Sequence, residues 1–162
     1  MAELTVLDDK LGEVMGLAMA AKGATQKIAK LVDDDELVAE LDRMREEAAE
    51  TETRCEELAA TRDGRKTAIR DKARETKGEA TEMMSTYLGE DAEGLDGFEF
   101  LVMAEAGEVG HWEVLGTLGE KAGDPAVREL VAWALPIQER HLAAARQGAL
   151  RLAAEEDPNG PA

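Results

Sequence analysis

Apolar residues recur three and four positions apart along nearly the whole chain, which is the period of a helix with one buried face. From Leu4 to Val32 that face reads Leu7, Leu11, Val14, Ala18, Ala21, Thr25, Ala29 and Val32. Asp33, Asp34 and Asp35 supply an N-cap and first-turn negative charge for a second helix running to Arg62, with Leu37, Leu41, Met44, Ala48, Thr51, Cys55 and Leu58 inward. Asp63 and Gly64 end it. From Arg65 to Leu88 the stripe is narrow (Ile69, Ala73, Thr76, Ala80, Met83, Tyr87) and predicts a covering helix or a crossover. Gly89 to Gly97 reads as an acidic loop without the register of an EF-hand. Helices over Gly97–Ala122 and Pro125–Ala154 complete the set, and Asp157–Ala162 reads as a tail. The expectation is an all-α fold over residues 1–156: a four-helix bundle of two hairpins, with an additional helix in the crossover between the second and third bundle helices.

Two positions break the pattern. Glu105 and Glu108 share a face with Phe98, Leu101, Val109, Trp112 and Leu115, so two carboxylates stand inside an apolar stripe. Burying them costs several kcal/mol unless a cation or strong hydrogen bonds compensate, and no Lys or Arg occurs between Lys77 and Lys121. His111 follows Glu108 by three residues. Like His111, the other histidine, His141, reads as lying on the core side of its helix, three residues after Gln138, and Pro136 precedes both on the outer side. Side chains three or four apart on a helix can reach a common ligand, and imidazole with carboxylate suits Fe, Mn or Zn better than Mg or Ca. Glu47 borders the second helix's stripe, whereas Glu50 points outward toward Arg54. Helix one offers Lys22 and Thr25 at its inward edge and no core-facing carboxylate. A metal-free alternative pairs Glu105 and Glu108 with Lys22, Arg54 or Arg140 from other helices.

Composition narrows the function. With 162 residues, 44% of them hydrophobic, the chain can bury one core. A formal charge of −17 repels phosphate backbones and anionic lipid, which argues against nucleic-acid and membrane partners. No apolar run is long enough to span a bilayer and the start lacks a signal-peptide pattern, so a cytoplasmic location is expected. Cys55 is the single cysteine, which excludes an internal disulfide and predicts a buried, inert thiol. Trp112 and Trp133 read as packing residues.

The segment Phe98-Glu-Phe-Leu-Val-Met-Ala-Glu-Ala-Gly-Glu-Val-Gly-His-Trp-Glu-Val-Leu115, together with Pro136-Ile-Gln-Glu-Arg-His141 and the extra helix before them, resembles the ferritin-like superfamily, and within it the YciE/YciF-type ferritin-like proteins. Di-iron members of that superfamily carry one Glu on each of two helices and Glu-x-x-His on each of the other two. The resemblance implies a metal set of Glu47, Glu105, Glu108, His111, Gln138 and His141. In this set Gln138 stands where the pattern has Glu, Glu50 where it has His, and helix one has no matching Glu. It also implies one or two iron ions, with manganese or zinc as substitutes, and iron oxidation or a role in oxidative and metal stress. The narrow stripe from Ile69 to Tyr87 can cover either the chain's own bundle or a partner copy, and a homodimer is expected. The alternative is a metal-free helical dimerisation or scaffold protein with a degenerate site.

Overall fold

The helix starts are fixed by short polar caps. Thr5 accepts from the Asp8 backbone N–H at 3.1 Å, Asp34 from those of Glu36 and Leu37, and Asp124 from that of Val127, just ahead of Pro125 in the first turn. Each cap satisfies donors that the first helical turn leaves open. The computed structural model describes residues 3–162. Among them are five helices and no strand: α1 (Val6–Ala29), α2 (Asp35–Ala60), α3 (Lys66–Tyr87), α4 (Gly94–Ala122) and α5 (Pro125–Glu155). No helix among the described residues is long and apolar enough to cross a membrane.

α1 and α2 form one hairpin and α4 and α5 another; α1 also packs on α4 and α2 on α5, closing a four-helix bundle. Ion pairs mark its ends. At one, Arg65 reaches Asp8 at 3.0 Å and Arg62 reaches Asp124 at 2.8 Å; at the other, Arg151 meets Asp34. The directions are therefore up for α1, down for α2, down for α4 and up for α5, and α3 carries the chain back up between α2 and α4.

α3 lies outside this square along α1, with a lesser contact to α2. Gly16 permits the approach, since a Cβ there would stand 2.4 Å from the Ala73 carbonyl oxygen. The upper half of α3 turns differently from the sequence expectation: Met84 and Leu88 are buried, whereas Met83 and Tyr87 are exposed toward α4. α4 also begins three residues early. Gly94-Leu-Asp-Gly97 is its first turn, with the Glu93 N–H donating to Asp96 at 2.8 Å. Gly97 is needed because a Cβ there would lie 2.9 Å from Ile28 of α1.

The interior is divided. A lower apolar cluster gathers Leu11, Val14, Cys55, Ile69, Trp112, Leu115, Val127 and Val131, and an upper one Ile28, Leu41, Met44, Met84, Phe98, Leu101 and Ala145. Along every bundle helix the buried residues between the clusters are small or polar: Ala18 and Ala21, Ala48 and Thr51, Glu105 and Glu108, Gln138 and His141. A polar layer thus crosses the bundle at mid-height.

Candidate functional site

All four large polar side chains of that layer come from the α4–α5 hairpin, and all are buried, with Glu105 1%, Glu108 4%, Gln138 1% and His141 2% exposed. Small residues on α1 and α2 leave them room. One terminal amide atom of Gln138 lies 3.0 Å from Oε2 of Glu105 and 3.0 Å from Oε2 of Glu108. Read as nitrogen, it donates a hydrogen bond to each carboxylate; hydrogen bonding is what assigns the two ends of such an amide. His141 Nδ1 stands 3.8 Å from Glu105 Oε2, and its Nε2 faces Glu47 Oε1 at 3.4 Å.

Electrostatics follow from burial. Desolvation pushes the Glu105 carboxyl up to about 8, and raises Glu108 well above the carboxylate range, with the Glu105 charge adding to it. Desolvation also lowers His141, more than the Glu47 carboxylate restores, so its imidazole is favoured neutral. For Glu47, partial burial raises the pKa, but the Arg140 hydrogen bond and His141 outweigh it and the net shift is downward. Among the described residues no Lys or Arg makes an ion pair with Glu105 or Glu108. The three cations named as alternative partners are engaged elsewhere: Lys22 with Glu52, Arg54 with Glu50 at 3.1 Å, and Arg140 with Glu47. Arg54 also covers the Trp133 ring at 4.0 Å.

No family model matches the chain, and neither does a curated protein or a solved structure.

Of the residues singled out from the sequence, Glu105, Glu108, Gln138 and His141 come together. Glu47 sits at the edge of this group, bound by Arg140 and approached by Arg43 at 3.4 Å, so it faces His141 rather than the carboxylates. His111 does not join them. Three residues turn a helix by about 300°, which puts it some 90° from the centre of the buried face; its side chain is half exposed, with Nδ1 donating to the Gly107 carbonyl at 2.8 Å and Nε2 lying 3.7 Å from Glu13. Accordingly, among the described residues no three His, Cys, Asp or Glu side chains are grouped closely enough to hold a metal ion. A third donor beside the carboxylates would have to be the Gln138 amide. Sequence reasoning missed Asp8, which is 1% exposed on α1, but it belongs to the lower end and is paired with Arg65 and Arg62. The signal for it is Thr5 three residues earlier, whose hydroxyl donates to Asp8 at 2.9 Å.

Proposed function

We propose that the chain is a ferritin-like helical bundle that binds one divalent first-row transition-metal ion through Glu105, Glu108 and Gln138, and that His141, whose Nδ1 stands 3.8 Å from Glu105, moves in as a fourth donor on binding. The observation that carries this reading is the buried pair of carboxyl groups, without a Lys or Arg partner among the described residues and each 3.0 Å from one amide atom of Gln138. If the amide presents its oxygen, the 3.0 Å spacings match the roughly 3 Å between adjacent ligands about 2.1 Å from one octahedral ion. Oxygen donors with a neutral imidazole suit Fe(II), Mn(II) or Zn(II), and two carboxylates balance one such ion. A second ion would draw on Glu47 and His111, which are turned to Arg140 and Glu13. The residues therefore fit one ion rather than two.

Glu47 has a positioning role in this scheme. Its carboxylate accepts from His141 Nε2, which selects the tautomer whose Nδ1 lone pair faces Glu105, and Arg140 holds Glu47 ionised. A bound ion with open positions would supply Lewis-acid or redox chemistry, and the resemblance to ferritin-like proteins points to iron oxidation. A role in metal or oxidative stress rests on that resemblance. Titration of EDTA-treated protein with Fe(II) without oxygen, and with Mn(II) and Zn(II), tests the reading. One ion per chain is expected, lost in Glu105→Gln plus Glu108→Gln; substoichiometric binding of all three rejects it.

A second reading is a metal-free scaffold in which the Gln138 amide nitrogen ties the two carboxyl groups. Its two available hydrogen bonds favour that view. There, Glu105→Gln leaves the fold at least as stable, since it removes a desolvation cost, and no metal response is seen.

A further inference from the structure

The upper half of α3 stands off α4, and between them, over α1, opens a cavity of about 220 Å³. Its walls are Ala20 and Ala24 of α1, Met84 of α3, and Phe100 and Met103 of α4, with the exposed Met83 at the mouth. Glu105 and Glu108 also line it, while no Lys or Arg does; His111 and Thr81 are the other polar side chains. An apolar space beside two buried carboxylates without a protein cation has a definite complement. We propose that this cavity binds a small amphipathic organic amine, its ammonium group against Glu105 and Glu108 and its apolar body among Met83, Met84, Phe100 and Met103.

Size, charge and adaptability define the ligand. A dry cavity of about 150 Å³ holds the six carbons of benzene, so the space here takes roughly nine. An alkanoate of that length fits the walls equally well, but brings a further acidic group and no cation; an alcohol fills the space and likewise brings no cation to the pair. Methionine walls adjust to alkyl or aryl bodies alike, so selection falls on the head group. A chain charged −17 attracts such a cation from solution. The amine and the metal ion are alternative occupants reaching the same carboxylates, and the amine site does not depend on the metal reading.

The test compares octylamine, 1-octanol and octanoate by calorimetry on EDTA-treated protein at one ionic strength. Octylamine is expected to bind at least tenfold tighter than octanol, and octanoate more weakly than either. In Glu105→Gln plus Glu108→Gln the amine advantage disappears while octanol affinity is kept, and Ala80→Phe, which fills the cavity wall, weakens both ligands; circular dichroism checks that each variant is folded. Equal affinity for amine and alcohol, an amine advantage that survives the double Gln variant, or no binding of any probe overturns the proposal. Metal titration of the same samples reads the other site separately, so either idea can fail alone.

Discussion

Glu105 and Glu108 share a single amide atom of Gln138, 3.0 Å from each. Among the described residues that amide is the one hydrogen-bond partner of Glu108, so its loss leaves a buried carboxyl group unsatisfied. Gln138→Ala is expected to cost the metal-free protein about 1–3 kcal/mol, read from urea midpoints in EDTA. Gln138→Glu adds a third carboxyl group: metal-free stability falls and Mn(II) affinity rises. Equal midpoints for all three proteins would separate Gln138 from the pair.

The raised carboxyl groups give stability an unusual slope with pH. Glu105 titrates near 8 when folded and near 4.5 when unfolded, so between those values the folded chain holds a proton that the unfolded chain has released. Stability is present below the unfolded value and is lost as pH rises through the folded one. Glu108 shifts the same way. His141 opposes them only below its ordinary value of 6.5, where the unfolded chain gains the proton. From about pH 6.5 to 8 metal-free protein should lose stability on the order of a few kcal/mol, and saturating metal, which needs the ionised pair, should flatten the decline. Thermal midpoints across that range, with and without Mn(II), measure both effects.

The two histidines separate cleanly. His111→Ala should leave metal affinity unchanged, because its imidazole is turned to Glu13 and Gly107. His141→Ala should lower it at least tenfold, and Glu47→Gln by a smaller factor through the lost orientation of His141. Calorimetric titration with Zn(II) distinguishes the three.

A control lies at the far end. Asp8→Ala removes the partner of Arg65 and Arg62, both partly solvated, and should cost about 2 kcal/mol, less than the roughly 3–5 for a fully buried pair. The thermal midpoint falls by about 4–8 °C, with metal affinity untouched.

Helical period made the five helices and the buried carboxylates readable, because a face repeated over more than twenty residues survives local noise. Gln138 and His141 stood in the middle of such a face and both proved buried. His111 was read on the core side from its spacing to Glu108, but it is half exposed, and adjacency in sequence said nothing about which neighbour it would meet. The stripe of α3 drifted by one residue: its lower half is pinned against Gly16, but Met83 and Tyr87 leave α1 and turn toward Phe100, whose ring centre lies 5.6 Å from that of Tyr87. The start of α4 was hidden by Gly94 and Gly97, which read as loop residues although close packing on α1 requires them. Where Arg140, Lys22 and Arg54 would point depended on distances between helices, which periodicity does not encode.

Because Glu105, Glu108, Gln138 and His141 all ride on one hairpin, forming that hairpin leaves them wet. Water is expelled when the other hairpin arrives with its alanines. The seam between the two halves, rather than either half alone, is therefore the contact that acid favours and alkali opposes.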